Sequence, residues 1–284
     1  MTETAKPPRS PRLWALRTAF RTVGAIAPSI AARWAETIFC TPPRRRQGDD
    51  AFMATGTRFT IASQGQQLAG WQWGDGPAVV LVHGWGSRAS RLSGLAAALV
   101  EAGFRVVAYD APAHGDSTGR HASLPEFARA LTDVSEAVLP IYGLVGHSLG
   151  GAAVAMAMRH GLAAPRVVLL APPADVRIFS DQFAQTLAIP LAVQETMHRN
   201  LERRLRIVWD DLHIPTVVRE LPAAALVIHD RDDVDVPFAH GEAIVGAWAG
   251  SVLESTSGLG HRALLRDPAV IARTVAFLLE GVAG

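Results

Sequence analysis

Short unbroken apolar runs recur along most of the chain, separated by longer stretches of helical periodicity. Ala78–Val82 reads Ala-Val-Val-Leu-Val with no polar residue in alternation, and similar runs fall at Arg105–Tyr109, 141–145, Arg166–Leu170 and 224–228. A strand apolar on both sides suits a parallel sheet covered on both faces, whereas a half-exposed strand alternates. Segments 90–102, 123–139 and 149–161 lie between these runs and carry helical spacing. A helix over 237–248, a strand over 251–254 and a helix over 262–279 complete the series. The alternation predicts an α/β fold, with a mostly parallel central sheet and helices on both faces. Ahead of it, Thr57–Ser63 and Gln66–Trp73 read as a hairpin turning at Gln64-Gly65, and Gly74-Asp75-Gly76-Pro77 as a turn.

Two regions break this rhythm. In 12–39, Leu13, Leu16, Phe20, Val23 and Ala27 fall at helical spacing, as do Ile30, Trp34 and Ile38, and Pro28 divides the two pieces. Between 174 and 220 the strand signal lapses, and 179–188 and 191–209 look helical with no strand between them. An insertion of that length exceeds a simple crossover and reads as a small helical cap. The chain therefore divides into an arm (1–48), a core (49–173 and 221–284) and a cap insertion (174–220).

Composition adds three constraints. Of 284 residues, 49% are hydrophobic and 19% charged, which supports a sizeable core and argues against disorder. The net charge of +1 supplies no overall field for nucleic acid. It is unevenly spread: residues 1–48 hold nine Lys/Arg and two acids, net +7, leaving −6 on the rest. A helix packed on the body with an exposed basic linker is the reading adopted for this arm. Peripheral membrane contact through 12–46, including Arg44-Arg45-Arg46, is the alternative. The single Cys40 cannot form an internal disulfide, no apolar stretch is long enough to span a bilayer, and Arg17, Arg21 and Arg33 interrupt any secretory signal. A cytoplasmic location is the expectation.

The strongest chemical signal is Gly146-His147-Ser148-Leu149-Gly150, directly after one apolar run and directly before a helix. A strand turning sharply into a helix leaves its serine strained and exposed, and bulky side chains two residues to either side would collide. The helix N-terminus offers free N–H groups to an oxyanion. A second signal, His83-Gly84-Trp85-Gly86, ends the run at Ala78–Val82. Backbone N–H groups of Trp85 and Leu149 can together form an oxyanion hole, where one donor is typically worth about 3 kcal/mol. The acid candidates are Asp230, Asp232, Asp233 and Asp235, which follow the last long apolar run. The base candidate is His261, in the glycine-rich stretch Ser257-Gly258-Leu259-Gly260-His261.

These motifs over 57–281 resemble the α/β-hydrolase superfamily, as does Asp110-Ala111-Pro112-Ala113-His114-Gly115-Asp116-Ser117, which has Ala113 where the family usually has glycine. The resemblance implies a chain order of serine, acid, histidine. It places the acid four residues before the Val-Pro proline, at Asp233. His83 and His114 read as turn-anchoring residues.

The expected activity is hydrolysis of an ester or thioester of a small to medium hydrophobic substrate, through an acyl-enzyme on Ser148. A cofactor-free perhydrolase or haloperoxidase, a C–C bond hydrolase and a non-catalytic binding member of the fold are the alternatives. No dinucleotide fingerprint, phosphate loop or zinc spacing is present, so neither cofactor nor metal is expected.

Overall fold

A computed structural model describes residues 11–43 and 50–281. The basic triplet 44–46 lies outside the described residues. The chain divides into two compact units, one of residues 41–175 and 210–284, the other of 1–40 and 176–209.

The larger unit holds, in chain order, α3 (Ala51–Ala54), β1 (Thr57–Ser63), β2 (Gln66–Trp73), β3 (Ala78–Val82), α4 (Ser93–Glu101), β4 (Arg105–Tyr109), α5 (Leu124–Glu136), β5 (Ile141–His147), α6 (Leu149–Arg159) and β6 (Arg166–Leu170). After the excursion through the smaller unit come α9 (Ile214–Val218), β7 (Ala224–Asp230), α10 (Ala239–Ala247), β8 (Ser251–Thr256), α11 (Gly260–Ala263) and α12 (Pro268–Leu279). The eight strands form one sheet in the order β1-β2-β4-β3-β5-β6-β7-β8. The hairpin β1–β2 joins antiparallel to β4, and every pairing from β4 to β8 is parallel.

The burial patterns follow the sequence. β3 is buried throughout and β4 to β7 nearly so, whereas β1 is mostly exposed at its edge of the sheet. On one face, Val79, Leu81, Val106, Ala108, Val145, Val168, Leu170, Leu226 and Ile228 share a core with Leu95 and Leu99 of α4 and Phe277 and Leu278 of α12. On the other, α6 packs on β3, β5 and β6. Strand 251–254 extends to Thr256. The expected helix over 262–279 is in fact the one-turn α11, a tight turn and α12, because Asp267 caps a new helix by accepting from Ala269 N and Val270 N, with Pro268 in its first turn.

The smaller unit comprises α1 (Pro11–Ile26), α2 (Pro28–Phe39), α7 (Arg177–Leu187) and α8 (Leu191–Leu205). Helices from the arm and from the insertion thus form one body. Its core is Phe20, Ala31, Ala32, Ala35, Leu187, Val193, Met197 and Leu201. The alanines on one stripe of α2 let α8 approach closely. Arg17 Nε donates to Thr186 O at 2.8 Å and Arg204 Nε to Glu36 at 2.7 Å. Among the described residues, no helix is long and apolar enough to cross a membrane.

Candidate active site

The candidate residues gather at the C-terminal ends of the parallel strands β5 and β7 and in the segments after β3 and β8. β5 ends at His147, and Ser148 turns the chain into α6 with φ 52° and ψ −125°. That backbone is strained for a side chain other than glycine. Its neighbours show why the turn demands glycine. A Cβ on Gly146 would lie 2.6 Å from Gly150 O, and one on Gly150 would lie 2.4 Å from Val82 O. Ser148 N donates to Leu170 O at the end of β6, which pins the turn to the sheet.

The β3 loop closes on this elbow from the other side. A Cβ on Gly84 would meet Ser148 Cβ at 2.9 Å, so the His83–Gly86 turn lies directly against the serine. Leu149 is the first residue of α6, and its N–H has no carbonyl one turn back within the helix. Trp85 is 37% exposed, with its ring stacked on Phe127 and edge-on to His114.

Both histidines of this region are occupied by backbone. His83 Nδ1 donates to Gly84 O and its Nε2 accepts from Ala111 N; His114 Nδ1 donates to Pro112 O and its Nε2 accepts from Gly86 N. Burial, with His114 nearby, pulls His83 down to about 3, so the ring is neutral. Ala113 takes φ 63°, the left-handed conformation that glycine adopts freely. The substitution therefore leaves the turn in a glycine-like conformation. Asp110 accepts from Ala89 N and Asp116 N, and burial pushes it up to about 6 against those bonds.

The four aspartates after β7 part company. Asp230 is fully buried and braces the loop ahead of His261, accepting from Thr256 Oγ1, Leu259 N and Asp232 N. Asp232 accepts from Gly258 N, and Asp235 faces Arg262 at 3.7 Å on the surface. Asp233 meets His261: its Oδ2 accepts from His261 Nδ1 at 2.7 Å, while its Oδ1 accepts from Asp235 N and Val236 N. Burial pushes the Asp233 carboxyl up. Hydrogen bonds from His229, His261 and Val236 N outweigh it and hold the group well below the usual carboxylate range. Because Nδ1 carries the proton shared with Asp233, Nε2 of His261 is left as the basic nitrogen.

His261 lies in α11 rather than in an extended loop. Gly258 (φ 80°) and Gly260 (φ 63°) take left-handed conformations that let the chain leave β8 and present the ring at once.

Two further histidines escape sequence reasoning. His147 Nε2 donates to the His261 carbonyl at 3.0 Å, its ring centroid 4.8 Å from that of His261. Burial, with His261 beside it, pulls it down to about 3. His229 is fully buried in β7; its Nε2 donates to Val236 O at 2.8 Å and lies 3.5 Å from Asp233 Oδ2. The available signal was a histidine ending an otherwise apolar strand run. Among the described residues, no group of three or more His, Cys, Asp or Glu is arranged to hold a metal ion.

Comparison with known proteins gives the family and the fold. The family described as serine aminopeptidase, S33, matches residues 76–236. The non-heme chloroperoxidase CPO-A1 of Kitasatospora aureofaciens is 36% identical over 115 residues, covering 39% of this chain. The chain spans about two fifths of that relative's length, 42%. Among solved structures, the Pyrococcus furiosus esterase Pf2001 superposes with a TM-score of 0.66 at 18% identity, covering 84% of this chain and 98% of that one. Est1E of Butyrivibrio proteoclasticus, solved with ferulic acid bound, gives 0.65 at 18% identity, over 80% of this chain and 100% of the other. At that identity both likenesses speak for the fold alone.

Proposed function

The chain belongs to the serine aminopeptidase S33 family of α/β hydrolases, and on that premise we propose that it hydrolyses an ester or thioester of a small to medium hydrophobic substrate through an acyl-enzyme. The observation that carries the reading is the 2.7 Å bond from His261 Nδ1 to the buried Asp233, with the His261 carbonyl bonded by His147, the residue before the strained Ser148. In this reading His261 Nε2 takes the Ser148 proton as Oγ attacks the carbonyl. Asp233 holds the imidazole in its tautomer and stabilises the charged ring. The N–H groups of Trp85 and Leu149 receive the oxyanion. The leaving alcohol or thiol takes the proton from His261, and water activated by the same nitrogen releases the acid. Exposed Trp85 beside Gly84 favours an apolar substrate group.

Activity toward p-nitrophenyl esters of graded chain length tests this. Ser148→Ala and Asp233→Asn are each expected to lower kcat/KM by about a thousandfold or more, with wild-type labelling of Ser148 by a fluorophosphonate. An unlabelled Ser148, or full activity in Ser148→Ala, overturns the reading. Full activity in Asp233→Asn alone moves the acid to a neighbour.

The identity with the chloroperoxidase favours one second reading, in which hydrogen peroxide rather than water accepts the acyl group and a peracid results. Bromination of a phenol dye with hydrogen peroxide, bromide and acetate, abolished by Ser148→Ala, distinguishes it from simple hydrolysis.

A further inference from the structure

The helical unit carries a surface that no step of hydrolysis uses. Its residues, 1–40 and 176–209, hold eleven Lys/Arg against five Asp/Glu, net +6, which leaves −5 on the rest of the chain. The imbalance is close to the arm's own +7 against −6, with α8 contributing Arg199, Arg203 and Arg204.

The same unit exposes large apolar side chains. Trp14 is 65% exposed, Ile26 80%, Ile30 55%, Trp34 37% and Leu191 70%. Soluble helices bury such groups when a partner element is present, and these two helices already bury others: Phe20 on α1, and Ala31, Ala32 and Ala35 on α2. The exposed set is a second face. On α1, Trp14 and Arg21 lie on one stripe, with Arg17 between them donating to Thr186 O; on α2, Ile30, Arg33 and Trp34 recur at three- and four-residue spacing. The Trp34 ring stacks on Phe20 at 4.8 Å, which brings the α2 stripe against α1. Gly24 lies against Pro190, where a Cβ would meet Pro190 Cγ at 3.1 Å, so Ile26 and Leu191 come to the same end of the unit.

We infer that this face docks on an anionic lipid bilayer. Tryptophan and isoleucine interleaved with arginine match the boundary between headgroup and acyl chain: the apolar side chains enter it while the guanidinium groups stay at the phosphates. The complementarity is of charge as well as polarity. The only acid in 11–39 is Glu36, and Arg204 holds it at 2.7 Å, so neither helix presents a free carboxylate to repel the lipid. A second copy of the chain would set these same arginines against one another, and no acidic partner stripe exists on the face itself. The surface lies on the helical unit, so docking leaves the chemistry of Ser148 to the other unit.

Co-sedimentation of the full chain with vesicles is the test, comparing phosphatidylcholine alone with phosphatidylcholine containing phosphatidylglycerol. Binding to the anionic vesicles is expected to exceed that to the neutral ones by about tenfold or more, and to fall with added salt. Two surface variants, Trp14→Ser with Ile26→Ser and Ile30→Ser, and Arg12→Gln with Arg21→Gln and Arg33→Gln, should each lower it by about tenfold with an unchanged circular dichroism melt. The wild-type comparison of the two vesicle types stands without the variants. Equal sedimentation with neutral and anionic vesicles overturns the inference, as does binding that both variants retain. Binding of duplex DNA or RNA in place of vesicles, or a dimer that the apolar variant dissociates without any vesicle binding, overturns it too.

Discussion

The two units differ in how many polar groups they bury. In the α/β unit, His83, His114, His147, His229, Asp110, Asp230 and Asp233 are all buried, and each is held by hydrogen bonds to backbone or to another member of the group. In the helical unit, the core is Phe20, three alanines and the aliphatic side of α8, with a buried polar residue, Ser180, bonded to His198 at 2.6 Å, and the arginines stay at the surface. A buried hydrogen-bonded group fixes direction as well as position, which a reacting constellation needs. Apolar packing fixes volume rather than direction.

The largest expected effect that sharpens this contrast is a cavity in the helical unit. Phe20→Ala removes a fully buried ring and should cost about 3–5 kcal/mol. Hydrogen exchange is the measurement: amides of α1 and α2 should lose protection while those of β3 to β7 keep theirs. Equal loss in both units would show that they unfold together.

Acid should act mostly on the other unit, although burial also lowers His198 in the helical one. His83 and His147 have folded values near 3, below the ordinary 6.5. Their stabilising effect is present above 6.5 and is lost progressively as pH falls from there toward 3. Asp110, raised to about 6, works in the other direction, adding stability as pH falls from 6 toward 3.8. The net expectation between pH 7 and pH 5 is a loss of about 2–3 kcal/mol, read from urea denaturation at each pH. A flat profile would mean that the two rings take up protons in the fold as readily as in the unfolded chain. Asp233, held low, adds a further loss only once pH drops below the ordinary carboxylate range.

The smallest effect belongs to the surface. Arg204→Gln breaks a partly exposed pair with Glu36 and should change stability by less than about 1 kcal/mol. A larger loss, seen in thermal unfolding, would indicate that directional bonding matters in the helical unit after all.

Much of the fold was legible because its signals are local. An apolar run without alternation implies a strand covered twice; Pro28 breaks a helix wherever it stands; glycines at 146 and 150 are needed because Gly150 O and Val82 O leave no room for a Cβ. The motifs around Ser148 and His261 are therefore visible from neighbours in the chain. What the chain could not tell by itself was which distant partners meet. Four carboxylates within six residues are chemically equivalent in sequence, and only the path of the β8–α11 loop brings His261 to Asp233 while giving Asp230 and Asp232 to backbone amides. The bonds of His147 to the His261 carbonyl and of His229 to the Val236 carbonyl likewise depend on how the segments after β8 and β7 fold back on the strand ends. The union of the arm with the insertion, about 150 residues apart along the chain, was decided in the same way: periodicity marks which face of a helix is apolar, but the helix that covers that face is selected only when the whole chain packs.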